Sequence, residues 1–220
     1  MKRYRTHEPF RDALPGHLER RSRELGVPVE LLRRRLVFQR FLARLLQMAP
    51  NHWILSGGTA LDWRLAHGHA QRARTTVDLD FVYRATLEQA RAELERAAEM
   101  DLGDYFTFAF DPTARTAEVE GRSFRFRITA SLGPRAYLMF LVDVGMIDLL
   151  QWTPDRIVVA DPFGDLGFGP LTVRTLPIPH QIAEKVHAIT NADQRGPPTH
   201  PRRPRYRRPC NDRHDRTAAS

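Results

Sequence analysis

Helical and strand-like patterns succeed one another along the 220 residues, and their alternation predicts an α/β chain of the α+β type. Three observations carry this. Apolar residues recur at helical spacing over residues 29–48, a strand, a glycine turn and a helix follow over 53–67, and strand-like segments run from 77 to 176. A chain of this length accommodates one domain with an appendage or two small ones, and it buries roughly 70% of its unfolded surface, enough for a sizeable core.

The elements can be justified in order. Leu32, Leu36, Leu42, Leu45 and Leu46, with Val37, Phe38 and Phe41 beside them, give an amphipathic helix from Val29 to Met48, which Pro50 ends. Trp53-Ile54-Leu55 reads as a short buried strand stopped by Ser56-Gly57-Gly58, after which Thr59 can cap a helix running through Leu61 and Leu65 to His67. Residues 68–76 read as a polar loop. Residues 77–83 alternate as a strand does, so Asp78 and Asp80 share one face while Leu79 and Phe81 point to the other. An Ala- and Glu-rich helix is expected from Thr86 to Met100, then strands over 105–110, 123–131 and 137–144. The last of these carries Asp143 as a buried-looking exception. Strands over 157–160 and 171–176 lead to a final helix over 179–190.

Charge narrows the function classes. Lys+Arg total 34 against 26 Asp+Glu, a formal net charge of +8, and Lys2 and Lys185 are the two lysines among them. An arginine bias of that kind follows from a GC-rich coding sequence, so arginine abundance by itself does not argue for nucleic-acid recognition. Residues 195–220 hold eight arginines, two aspartates and five prolines without periodicity, and so most of the basic excess. Such a tail cannot bury enough apolar surface to offset its ordering entropy, and disorder is expected there. It attracts phosphates or is an ordinary solvated charge run, and its texture also suggests out-of-frame translation. Cys210 stands alone, which excludes an internal disulfide and favours a reducing cytoplasm. The apolar run at 136–142 is far below the roughly 20 residues that cross a bilayer, and no signal-peptide core follows the basic N-terminus, so no membrane partner is expected.

Four groups can carry chemistry. Asp78 and Asp80 offer two oxygen donors on one strand face, and Asp143 a third from another strand, which suits Mg2+ and two-metal phosphoryl transfer. Ser56-Gly57-Gly58-Thr59 lies at a strand-to-helix turn, where glycines permit close backbone approach and free N–H groups can face a phosphate. Lys185 on the last helix can neutralise phosphate charge. Taken singly, each has a plainer reading: an exposed strand end, a tight turn with a threonine cap, a solvent-facing helix residue.

In order, Trp53-Ile-Leu-Ser-Gly-Gly-Thr-Ala-Leu61 with Arg64-Leu65, then Arg74-Thr-Thr-Val-Asp-Leu-Asp80, then Leu141-Val-Asp143, then Ala183-Glu-Lys185, resemble the AbiEii/AbiGii-type nucleotidyltransferase toxins, which include the mycobacterial MenT toxins. The resemblance spans roughly residues 25–190. It implies a polymerase-β-like nucleotidyltransferase fold, a mixed sheet flanked by helices with a helical C-terminal part. Residues 1–50 would be an N-terminal helical segment packing on the core, 51–194 the nucleotidyltransferase core with the start of a helical lobe, and 195–220 the tail. It further implies Mg2+ on Asp78, Asp80 and Asp143, and nucleotide phosphates at Ser56, Gly57, Gly58, Thr59 and Lys185. The implied activity is transfer of a nucleotide from an NTP to RNA, the 3′ end of tRNA, which blocks translation and is opposed by a cognate antitoxin.

One departure bears on activity. The family continues with a basic-Asp-x-x-Asp helix, whereas this chain has Asn211-Asp-Arg-His-Asp215, without apolar residues to pack it. No role passes to Asp212 or Asp215, and an impaired enzyme is an expectation. Two rival readings are a non-catalytic remnant that binds RNA or antitoxin, and a same-fold enzyme that modifies a small molecule or a protein. His67 and His69 lack matched zinc-site partners, Cys210 has no identifiable base, and Trp53, Trp63 and Trp152 stack on bases or belong to the core.

Overall fold

The structure, a computed structural model, describes residues 4–65, 76–116, 123–147, 152–161 and 163–192. His67, His69, Cys210, Asp212, Asp215 and the whole of 195–220 lie outside these residues, as does most of the expected 68–76 loop. The chain falls into two compact units, Met1–Ile182 and Ala183–Ser220.

In the first unit, α1 (His7–Leu25) buries Phe10, Leu14, His17 and Leu18, spaced to one helical face, and closes at Gly26 in the left-handed conformation. Helix α2 (Val29–Met48) turns its leucine and phenylalanine stripe inward, as the apolar repeat requires. Strand β1 (Trp53–Ser56) runs directly into α3 (Gly57–Leu65). Strand β2 (Asp78–Tyr83) is followed by α4 (Leu87–Glu99), which opens with a reciprocal capping box between Thr86 and Gln89. Then come β3 (Phe106–Thr116), β4 (Ser123–Leu132), β5 (Arg135–Met146), β6 (Asp155–Val159) and β7 (Leu171–Thr175). Helix α5 (Ile178–Ala192) crosses from the first unit into the second.

The strands form one mixed sheet in the order β3-β4-β5-β2-β1-β7-β6. Strand β2 pairs antiparallel with β1 and parallel with β5, so the Asp-x-Asp strand sits in the middle. Leu55, Leu79, Phe81, Tyr83, Phe126, Ile128, Phe140, Val142 and Val144 share one core with Phe10, Leu32, Leu36, Phe41 and Leu94, so α1, α2 and α4 cover a single face of the sheet. On the opposite face, Ile54, Val82 and Leu176 form a small separate cluster with Ile147 and Trp152. The expected mixed sheet with flanking helices is therefore present.

Three expectations need correcting. Helix α3 starts at Gly57, so Thr59 lies inside it and cannot be its N-cap. Strand β3 continues to Thr116 past its expected end at 110, because the pairing with β4 resumes after an irregularity between Asp111 and Arg115. Asp143 is half-buried at 27% side-chain exposure, because β5 turns Val142 and Val144 into the core and Asp143 to the opposite face of the sheet.

Candidate active site at the end of the central strands

Strand register decides which side chains meet. Asp80 lies opposite Asp143 in the parallel β2–β5 ladder and opposite Ser56 in the antiparallel β1–β2 ladder. Partners directly opposite across a ladder point to the same face. Since Leu79 and Phe81 take the core side, Asp78, Asp80 and Asp143 gather on the other, beside the end of β1 where the glycine turn begins. The sheet thus brings together Asp78, Asp80, Asp143, Ser56, Gly57, Gly58 and Thr59.

The turn is shaped around the acids. Gly57 has φ +61, and a Cβ there would come within 2.0 Å of Asp80 Oδ2; a Cβ at Gly58 would come within 2.4 Å of Thr76 Oγ1. Both the left-handed backbone and the close carboxylate therefore demand glycine at 57. The Gly58 N–H donates to the Asp80 carboxylate, and the Thr59 hydroxyl donates to the Asp78 carbonyl oxygen at 3.1 Å. Thr59 thus ties α3 to β2, and its proton is already committed. Arg64, at the other end of α3, donates to Asp155 at 2.8 Å, to the Leu176 carbonyl at 2.9 Å and to Thr175, fixing the helix to the β6–β7 edge.

The electrostatics record crowding of like charge. Burial, followed by the charges of Asp143 and Asp78, pushes the Asp80 carboxyl up to about 6, against the lowering effect of the Gly58 N–H and Arg125. Asp78 is raised as well, first by burial and then by Asp143, while Arg125 and Arg34 oppose the rise. Asp143 itself is gripped by Arg125 from β4, Nε to Oδ1 at 2.6 Å and a terminal nitrogen to Oδ2 at 2.5 Å. The two residues face each other directly in the β4–β5 ladder. This pair raises the Arg125 pKa, chiefly through the hydrogen bond to Asp143.

That pair bears on Asp143 as a third metal ligand. Both oxygens of Asp143 are occupied, and among the described residues no group of three or more His, Cys, Asp or Glu is arranged to hold a metal ion. The donor set nonetheless suits a hard cation. Asp78 and Asp80 offer carboxylate oxygens from one strand face, and their raised pKa values mark negative charge that a cation would relieve.

Lys185 belongs to the second unit and is exposed on α5. Trp53 and Trp63 are core residues, and the Trp53 indole N–H donates to Glu93 at 2.7 Å. Trp152 is partly buried with its ring beside His180. Arg125 was not visible as a site residue in the sequence. The available signal was Arg125-Phe126-Arg127, a strand alternating arginine with a buried aromatic.

A profile of the nucleotidyl transferase AbiEii toxin family, of type IV toxin–antitoxin systems, matches residues 40–207. The chain belongs to the AbiEii family. Among solved structures it is similar to MenT4, a nucleotidyltransferase toxin from Mycobacterium tuberculosis H37Rv, at 21% identity and a TM-score of 0.50. That match covers 78% of this chain and 58% of MenT4, so the chain spans little more than half the length of that relative. At this identity the likeness establishes a shared fold. No curated protein matches the chain. The family profile begins at residue 40, so α1 and the first half of α2 precede it. Arg64, Asp78, Asp80, Arg125 and Asp143 all fall within it.

Proposed function

We propose that this AbiEii-family protein is a nucleotidyltransferase toxin that moves a nucleotide from an NTP to an RNA acceptor, the 3′ end of tRNA, and thereby blocks translation until a cognate antitoxin opposes it. The observation that carries the reading is Asp80, half-buried between two further carboxylates and seated against the Gly57-Gly58 turn. Asp78 and Asp80 would hold Mg2+, which when bound supplies charge neutralisation at the triphosphate oxygens.

The chain's own part is positioning. Ser56, Gly57 and Gly58 put the start of α3 next to the cluster, with the Asp80 carboxylate seated against Gly57, and the nucleotide phosphates are assigned to this turn on the family resemblance. Thr59, held on the Asp78 carbonyl, keeps that turn in register with β2. Lys185 is assigned to the nucleotide phosphates on the family resemblance. The hydroxyl oxygen of the acceptor forms a bond to the α-phosphorus while the bond from that phosphorus to the bridging oxygen breaks. Pyrophosphate departs, and the hydroxyl proton passes to a carboxylate of the cluster. Catalysis of this kind rests on alignment and charge, which a rigid central strand supplies.

Incubating the protein with total tRNA, Mg2+ and each labelled NTP in turn, then sizing the products, tests the reading. Label on RNA of tRNA length, lengthened at its 3′ end, is expected. Label on protein or on a small molecule would move the assignment to another acceptor class, and RNA binding without incorporation would make the chain a binding module.

A further inference from the structure

We propose that Arg125 is an exchangeable counter-ion for the third carboxylate: it occupies Asp143 while no divalent cation is bound, and a cation gains that carboxylate only by displacing it. The inference rests on the reading of Asp78, Asp80 and Asp143 as one cation-binding group.

Three carboxylates share one face of β2 and β5, and among the described residues neither Asp78 nor Asp80 has an ion-pair partner, whereas Asp143 has Arg125 on both oxygens. The fork of a guanidinium matches a carboxylate edge to edge, so while it is docked it covers the oxygens a metal would need. The fit is set by the backbone, because Arg125 and Asp143 are direct partners across the β4–β5 ladder and need no loop to bring them together. The pair is nonetheless open to water, with side-chain exposures of 43% and 27%. Water can reach both partners, so solvent can take up the guanidinium's hydrogen bonds as it leaves the carboxylate. Next to Arg125 on the same face, Arg127 pairs with Asp111 at 3.4 Å, so that neighbour has its own acid and does not compete for Asp143. Arg125 is therefore a positioning residue. It keeps Asp143 aimed across the ladder and limits like-charge repulsion among the three acids, and it sets the order of events, with arginine release preceding full cation coordination.

The test measures Mn2+ binding to the full chain without nucleotide, by calorimetry and by the electron paramagnetic resonance signal of free Mn2+, for wild type, Arg125→Gln, Arg125→Lys and Asp80→Asn. Arg125→Gln should bind about tenfold tighter, equivalent to about 1.4 kcal/mol. Arg125→Lys should bind about threefold tighter, since an ammonium keeps the charge but cannot fork both oxygens. If Arg125→Lys matched wild type while Arg125→Gln bound tighter, a simple field effect would suffice and the exchange would be refuted. Equal affinity for all three residues at 125 would refute it too. Wild type and Asp80→Asn binding alike would sink the cation-binding reading itself, and the inference with it. As a direct readout, the Arg125 Nε–H resonance should shift on adding Mg2+ to wild type; an unmoved resonance at saturating Mg2+ would show that the arginine never lets go.

Discussion

Arg44 and Arg125 each grip an aspartate with two nitrogens, yet the two pairs do different things. Arg44 binds Asp104 at 2.7 and 2.9 Å, both side chains are almost wholly buried, and Arg40 donates to the same carboxylate at 2.7 Å. Arg44 also donates to the carbonyls of Met100, Arg40 and Phe106, and the Phe106 N–H donates to Asp104. Every oxygen there is saturated and the acid is outnumbered by bases, so although burial raises its pKa, Arg44 and Arg40 overcome it and hold Asp104 below the ordinary range. At Arg125 the balance is reversed, with three carboxylates to one guanidinium and a face open to solvent, and Asp80 is pushed up instead. A buried, saturated, cation-rich pair fastens α2 to the start of β3. An open, anion-rich one leaves charge for a ligand to compensate.

The difference can be broken from either side. The largest effect on stability is expected at Asp104→Asn, which strands two buried guanidinium groups and should cost about 3–5 kcal/mol in denaturant unfolding. A loss below about 1 kcal/mol would mean that the buried pair is not the fastener described. The stability supplied by Asp104, whose folded pKa is depressed, is present above its unfolded pKa and is lost as pH falls through the folded value.

Asp80 has the opposite sign. With a folded pKa of about 6 against an ordinary 3.8, the native state holds its proton more tightly, so this group lowers stability as pH rises from about 4 through 6. Metal-free Asp80→Asn should therefore be more stable than wild type at pH 7 by about 1–3 kcal/mol, an advantage that fades by pH 4. Thermal melts across that range would show it, and a pH-independent difference would contradict it. Gly57→Ala should lose about 1–2 kcal/mol or more, since the left-handed φ and the Asp80 contact both resist a Cβ. The smallest effect is expected at Arg125→Gln, within about 1 kcal/mol of wild type in the metal-free protein.

Much of the fold was legible because it is local. The leucine and phenylalanine spacing of α2 and the alternation of β2 each set a face from a few neighbouring residues, and Asp78 and Asp80 then had to lie opposite Leu79 and Phe81. The convergence with Asp143 followed from the order of the motifs. Its burial is not legible from sequence, because a carboxylate between valines looks internal until the sheet shows that Val142 and Val144 take the core side and Asp143 the other. Arg125 was not legible, because its partner is 18 residues away in sequence and is chosen by the β4–β5 register. Thr59 looks like a cap because Gly57-Gly58 resembles a break, whereas Gly57 adopts its left-handed φ as the first residue of α3.

Whether Asp80 and its neighbours serve nucleotide transfer is tested by the initial rate of Mg2+-dependent label incorporation into RNA by folded Asp80→Asn beside wild type. A fall on the order of 10²–10³-fold or more is predicted, the scale typical of losing a group that stabilises transition-state charge. Undiminished incorporation by a variant that melts as cooperatively as wild type would contradict it.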